Sequence, residues 1–415
     1  MALSRIAFQL LMNIINLTGA AFWRLLGIKI ARLDEESVWR GFSVEEKNLL
    51  LDPKGPDPHW SKRLSLSLQC WAQDSKLTTC GRLFLKSVYV DTIRERLNVI
   101  TALREQDPTQ VKPICKPIFI VSSNRTGSTL LQALLASDPA NTAPLLWELV
   151  HPTRSSPLPK GISDRLDFFY TMRPQHRKKH LIAPTMPHEC YHIYQRSEVC
   201  KAYMVVGQNM EPYKACIKAL PREHVLEMFR FYKQQLELIL SGRKDKTPKT
   251  FILKESLHSM FIGPLLEVFP DAMIINIVRD PVESVPSACS MIEDVFAMVY
   301  AVTDLNRQGL GQRVLDHTVD CVSNLYNFRQ EHPSEAHRFI DVSYADLTRA
   351  PLVTLEAIYT KMGLTLTKAA KGRMMSYLAR NPQHKHGHHA YTAEKYGLTN
   401  DIIRKRLGGF YSQWK

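Results

Sequence analysis

The chain has 415 residues, 45% of them hydrophobic and 23% charged, enough apolar material for one large core or two modest ones. Its 54 Lys and Arg against 40 Asp and Glu give a net charge of +14, which suits nucleic acid, an anionic membrane surface or a polyanionic small ligand. No zinc-finger or basic-zipper spacing and no basic stripe interleaved with aromatics accompanies that charge, so nucleic acid is the weakest of the three.

Residues 6–23 (IAFQLLMNIINLTGAAFW) carry no charge and lie between Arg5 and Arg24. As a helix they span ~27 Å, borderline for a bilayer. Gln9, Asn13, Asn16, Ala20 and Arg24 recur at spacings of four and three and draw a polar stripe along one face. A helix packed on the protein, a helix lying on a membrane and a true span all fit this pattern, the membrane-associated candidate covering 6–30. A signal peptide fits less well, because no small-residue cleavage site clearly follows a continuous apolar core. From 35 to 111 short helices are expected, the clearest over Val88–Gln106, where Val90, Ile93, Leu97 and Ile100 fall at helical spacing. Residues 1–111 therefore read as a helical N-terminal extension. The proline-bearing joint 112–117 opens a second region, 112–415.

Pro117–Ser123 (PIFIVSS) is a short β-branched run of the kind expected for a strand buried on both faces. TFILK (250–254), MIINIVR (273–279) and RFIDVS (338–343) are further strands, and helices are expected at 222–241, 262–269, 281–295 and 351–362, the last closed by Gly363. This alternation predicts an α/β fold with a mostly parallel sheet flanked by helices. The basic segment 242–249 reads as a surface loop.

Between the first strand and its helix lies Ser122-Ser123-Asn124-Arg125-Thr126-Gly127-Ser128-Thr129. Backbone N–H groups converge at such a turn, and the helix N-terminus adds positive potential, so the turn suits an anion. Gly127 lets the backbone approach it, Ser128 and Thr129 offer hydroxyls, and Arg125 offers a bidentate cation. The Walker A pattern fails here, since its lysine is absent. A capped helix with a surface arginine is the alternative. A second strand and turn, Ile274–Pro281, ends in Arg279, and Ser287 follows two turns into the next helix, where both can face one phosphate. Pro281 suits the first turn of that helix.

NRTGSTLL, FILKESLHSM, LLEVFPDA and VRDPVESVPS, in this order, resemble the sulfotransferases that use 3′-phosphoadenosine 5′-phosphosulfate (PAPS), in the broad branch that also resembles tyrosylprotein sulfotransferases. NPQHKHGHHAYTAEKYGL and a basic helix extend the resemblance over roughly 115–415. It implies a P-loop-like fold and PAPS as donor. It further implies that Arg125, Thr126, Gly127, Ser128 and Thr129 bind the 5′-phosphosulfate, and Arg279 with Ser287 the 3′-phosphate. Lys254 would contact the transferring sulfuryl group, Tyr344 would lie near the nucleotide, and Lys385 with Gly387 would form a later loop over the 3′-phosphate. Two departures stand out: Pro286 precedes Ser287 within a helix, and Lys254-Glu255-Ser256 replaces the usual lysine-any-proline pattern.

Sulfuryl transfer, like phosphoryl transfer, relies on positioning and on cations near the oxygens that gain charge, here Arg125 and Lys254. Glu148, desolvated by Leu146, Trp147 and Leu149, is the expected general base, with a structural ion pair as its alternative and His151 as its competitor. By the same resemblance, a glutamate after the first helix occupies this place. His384, His386, His388 and His389 look like a metal cluster, yet without Asp or Cys at ligand spacing they read as a basic loop or lid, and no metal is expected. His192 and His258 read as structural. Rival readings are a P-loop kinase, which needs a Walker lysine and a magnesium carboxylate, and a non-catalytic membrane-associated nucleotide-binding protein.

The acceptor-facing region is expected at 150–215 (Tyr170, Met172, Met186, His188, Tyr191, Tyr194), and its aromatic and apolar character suits a small or lipid-like alcohol or a glycan. The eight cysteines form no CxxC pair, so reduced thiols are expected, with Cys70–Cys80 and Cys190–Cys200 as conceivable bridges in a lumenal chain. The sequon at Asn124 would put a glycan inside the phosphate turn, which favours a cytoplasmic or membrane-associated chain over a lumenal one. Nothing in the sequence sets the oligomeric state.

Overall fold

The computed structural model describes residues 2–27, 30–154, 160–245, 247, 249–381 and 391–413. Its centre is a five-stranded sheet, β1 (Ile118–Ile120), β2 (Asn141–Thr142), β3 (Thr250–Lys254), β4 (Met273–Val278) and β5 (Phe339–Ser343), in spatial order β2-β3-β1-β4-β5. Every pairing is parallel. Four strands coincide with the apolar runs read from the sequence. The fifth, β2, has two residues at the sheet edge, too few for any periodicity to mark it.

The strands alternate between two apolar layers. Phe119 and Val121 point into the larger cluster, whereas Ile118 and Ile120 join Leu131, Leu134, Ile275 and Ile358 on the other face. This is why the runs are continuously hydrophobic: both faces of a parallel sheet are covered. The chain leaves β1 toward β2 on one side and reaches β4 on the other. The crevice beyond the C-terminal ends of β1 and β4 is therefore the switch point where such sheets bind ligands.

The extension is built from helices Ala2–Leu26, Glu35–Trp39, Val44–Leu50, Trp60–Gln73 and Thr79–Glu105. Asp34, Ser43 and Thr78 cap three of them with side-chain acceptors. The larger apolar cluster runs without interruption from Leu33 to Tyr411 and so takes in both the extension and the sheet. Buried arginines tie the two together. Arg63 pairs with Asp57 at 2.5 Å and donates to the Ser197 carbonyl at 2.8 Å, and Arg96 donates to the Arg196 carbonyl at 2.8 Å.

All eight cysteines, Cys190 and Cys200 included, are free thiols. Among the described residues no helix is long and apolar enough to cross a membrane. Gly363 closes helix Pro351–Lys361 in the left-handed region (φ 70°), with the Leu364 N–H bonded to the Tyr359 carbonyl at 2.8 Å.

Candidate active site

The turn after β1 is shaped by two left-handed residues, Arg125 (φ 65°) and Gly127 (φ 88°). A non-glycine residue in this region is strained, and such strain persists only where its surroundings over-determine it. Here they do. Arg279, at the end of β4, donates to the Arg125 carbonyl at 2.7 Å, and the Arg125 Nε donates to Ser287 Oγ at 3.1 Å. A side chain on Gly127 would meet the Tyr344 ring at 3.0 Å, and the Arg279 guanidinium stacks 4.3 Å above that same ring. Arg125, Gly127, Arg279, Ser287 and Tyr344 thus form one cluster. Thr126 is fully buried and closes the turn by donating to the Ser123 carbonyl at 2.8 Å. Ser128 and Thr129 open helix Ser128–Ala136, which leaves their N–H groups at its positive end.

Lys254 ends β3 and extends its ammonium to Thr129 Oγ1 at 2.9 Å. A lysine therefore reaches the turn from the neighbouring strand, where a Walker loop would supply its own. Helix Pro281–Phe296 continues through Pro286, and Ser287 behind it is buried. A cleft of about 370 Å³ adjoins Arg279, lined also by Val282, Pro286, Tyr391 and Thr392. Lys385, Gly387 and the histidines at 384, 386, 388 and 389 lie outside the described residues.

Glu148 is not brought to this cluster. Its Oε1 accepts from Arg243 Nε at 2.7 Å, and its Oε2 accepts from Arg243 Nη2 at 2.6 Å and from the Leu145 N–H at 2.8 Å. With its side chain only 6% exposed and both oxygens engaged, the carboxylate is bound as an ion pair, the arrangement named as the alternative to a base. Arg243 belongs to the segment read as a surface loop; it folds back on Glu148 instead. His151 lies 2.8 Å from Glu95 on the extension.

The residues that do stand beside Lys254 come from the loop before helix Tyr191–Gln195. Glu189 lies 3.3 Å from Lys254 and 3.1 Å from Lys201, which in turn holds Glu255 at 2.7 Å. Burial opposes the charge on Glu189, but the two lysines hold its carboxyl well below the usual range. His180, His188 and His192 follow one another with ring centroids 6.3 Å apart. Burial pulls His180 and His192 down to about 3, and burial, opposed by the Glu189 charge and aided by Lys254, holds His188 well below its usual value, so all three imidazoles are neutral at pH 7. Glu189, Lys201 and His180 escaped the sequence reading because no spacing marks them; only the fold sets them beside Lys254.

His188 and His192 also line a cavity of about 740 Å³. Its walls are largely apolar: Phe84 and Val88 from helix Thr79–Glu105, and Ile162, Leu166 and Phe169 from helix Lys160–Met172. Of the expected acceptor-facing residues, His188 lines it, whereas Tyr194 is packed in the core and the Tyr170 hydroxyl accepts from the Ile182 N–H at 2.6 Å. One side of the wall, from Phe84 to Glu95, therefore comes from the extension.

Residues 117–368 match the model of the sulfotransferase family. The omega-hydroxy-beta-dihydromenaquinone-9 sulfotransferase Stf3 of Mycobacterium bovis is 28% identical over 295 residues, covering 69% of this chain and 72% of that protein. Stf3 of Mycobacterium tuberculosis matches over the same length with the same identity. Among solved structures, sulfotransferase STF9 from Mycobacterium avium superposes with a TM-score of 0.74 at 21% identity, over 92% of this chain and 96% of that one. STF1 from M. tuberculosis H37Rv superposes with a TM-score of 0.71 at 22% identity, over 89% and 99%. These likenesses favour neither a kinase nor a non-catalytic nucleotide-binding module. With more than half of its length matched, and with the P-loop-like parallel sheet that its structural neighbours share, this chain belongs to the sulfotransferase family.

Proposed function

We propose that the chain transfers the sulfuryl group of PAPS to the hydroxyl of a lipid-like alcohol, with His188 as general base. The observation that carries this reading is the position of His188, which lines the 740 Å³ apolar cavity and directly precedes Glu189, whose carboxylate pairs with Lys254 at 3.3 Å. Stf3, by its name, sulfates a hydroxylated menaquinone derivative, a lipid alcohol that calls for an apolar acceptor site.

The residues of the switch point fit a nucleotide of this kind. The left-handed turn at Arg125 and Gly127, the N–H groups of Ser128 and Thr129, and three cations (Arg125, Lys254 and Arg279) surround one crevice. Arg125, with Thr126, Gly127, Ser128 and Thr129, would hold the 5′-phosphosulfate. Arg279 with Ser287 would hold the 3′-phosphate, and Tyr344 would flank the base or ribose. Bound there, PAPS supplies a sulfuryl group on a good leaving phosphate. Arg125 and Lys254 keep positive charge where negative charge grows on that phosphate. Neutral His188 takes the acceptor hydroxyl proton, and Glu189, held between Lys254 and Lys201, keeps Lys254 in place. The alcohol oxygen gains the sulfuryl group, the phosphate leaves with the bridging oxygen, and the proton ends on His188.

The test is turnover of PAPS with long-chain, short-chain and glycan alcohols, with product identified by mass spectrometry and nucleotide affinity measured by calorimetry. The expected result is tight binding of 3′-phosphoadenosine 5′-phosphate and highest kcat/KM for a long apolar alcohol. Preference for ATP, or for a glycan, would overturn the reading.

A further inference from the structure

The N-terminal helix Ala2–Leu26 packs through one narrow face. Asn16 Oδ1 accepts from the Cys80 N–H at 2.9 Å and so caps the start of helix Thr79–Glu105. Gly19, buried against Thr79, allows the close crossing, since a Cβ there would fall 1.9 Å from Thr79 Oγ1. Met12 and Ile15 complete this half-buried face.

The opposite face is apolar and exposed. Leu10, Ile14, Leu17 and Leu25 follow at spacings of four, three and eight, with exposures of 57%, 60%, 70% and 81%. Leu11 and Phe22 widen the stripe, at 50% and 41%. A water-exposed ridge of this size on a packed helix marks a surface for another apolar phase. Packed along one face and apolar along the opposite one, the helix is of the kind that lies in an interface.

Two observations choose the phase. The helix contains no Asp or Glu, and it leans on helix Lys160–Met172, which leads into Pro174–Lys179 with Arg177 and Lys178 exposed, on a chain whose net charge is +14. That charge complements an anionic surface. The helices it packs on, Thr79–Glu105 and Lys160–Met172, also supply part of the apolar wall of the 740 Å³ cavity. Leu83 and Phe168, on those helices, are themselves exposed at 48% and 37%.

We infer that this face docks on an anionic lipid bilayer, with the helix in the plane of the interface and the cavity walls beside it. Resting on the proposed function, the same arrangement lets a lipid alcohol pass from the bilayer into the cavity. The docking itself does not depend on the chemistry.

The experiment uses the full chain and a variant carrying Leu10→Ser, Ile14→Ser and Leu17→Ser, all on the face away from Asn16 and Gly19. Co-sedimentation with phosphatidylglycerol–phosphatidylcholine vesicles is expected to show binding that weakens in pure phosphatidylcholine and in high salt, and that falls at least about 100-fold in the variant. An unchanged melting temperature checks that the variant is folded. Both proteins should turn over a short soluble alcohol equally without vesicles, and only the wild type should gain rate on a long-chain alcohol presented in vesicles. A wild-type chain that stays in the supernatant with anionic vesicles overturns the inference. So does self-association, read by analytical ultracentrifugation, that the variant abolishes while vesicles bind neither protein. If no alcohol is sulfated by either protein, the catalytic reading fails, while sedimentation still decides the docking.

Discussion

Replacing Glu148 by Gln separates a scaffold from a base. In the structure the carboxylate accepts three hydrogen bonds, two from the Arg243 guanidinium and one from the Leu145 N–H, and its side chain is 6% exposed. Glutamine keeps the size and one acceptor oxygen, but it places an N–H₂ group against a cation. Breaking a buried pair by removing one partner costs about 3–5 kcal/mol. Arg243 is 20% exposed and keeps the Ala143 carbonyl at 2.8 Å, so part of its charge stays solvated and roughly 2–3 kcal/mol is expected. For a chain of this length, with an unfolding entropy that scales with size, this lowers Tm by about 3 °C. The assay is thermal unfolding and steady-state kinetics on the same preparations, with Arg243→Gln and the double variant completing the cycle. The pair predicts that the double variant is less destabilised than the sum of the single ones, and that kcat per folded molecule changes less than about threefold. An unchanged Tm together with a 10²–10⁴-fold fall in kcat would refute this reasoning and return Glu148 to the role of base.

Four further outcomes are expected. His188→Ala should lower kcat by about 10²–10⁴-fold with the affinity for 3′-phosphoadenosine 5′-phosphate nearly unchanged, and a normal kcat in the folded variant removes His188 from the mechanism. Arg279→Ala should cost about 1.5–3 kcal/mol in binding of the 3′-phosphorylated nucleotide and less in binding of its analogue without that phosphate; calorimetry showing equal losses contradicts the assignment. Gly127→Ala adds a methyl group 3.0 Å from Tyr344 at φ 88°, so nucleotide affinity should fall at least about tenfold, and wild-type affinity would show that the turn is not a binding element. Burial lowers the pKa of His258 and His317 to about 3, so the unfolded state binds more protons than the folded one between that value and about 6.5. Their contribution is therefore complete above pH 6.5 and is lost on acidification, each by up to about 1.4 kcal/mol per pH unit. Denaturant unfolding at pH 7 and pH 5 should show the loss, and His317→Gln should lessen it.

Local order was legible in the sequence. β3, β4 and β5 and the helices that follow them are contiguous patterns, and a parallel strand buried on both faces announces itself by continuous β-branched residues. The turn after β1 was legible for the same reason. Gly127, Ser128 and Thr129 act through backbone shape and a helix start, which neighbours in sequence determine.

Partnerships were another matter. Nothing near Glu148 announces Arg243, 95 residues away, and a desolvated carboxylate reads alike as a base or as half of an ion pair until its partner is known. Lys254 was marked by its place at a strand end, but Glu189 reaches it only because the next residue, Cys190, donates its N–H to the Lys254 carbonyl. The apolar cavity unites helix Thr79–Glu105 with residues more than fifty positions later, so the extension became part of its wall only in three dimensions. The N-terminal helix shows the same limit. Its sequence established an uncharged helix, whereas the crossing at Asn16 and Gly19 decided which face is covered and which apolar stripe is left to the outside. Periodicity and turn chemistry are set by covalent neighbours; the pairing of charges and the sides of a cavity are set by packing, which sequence proximity does not encode.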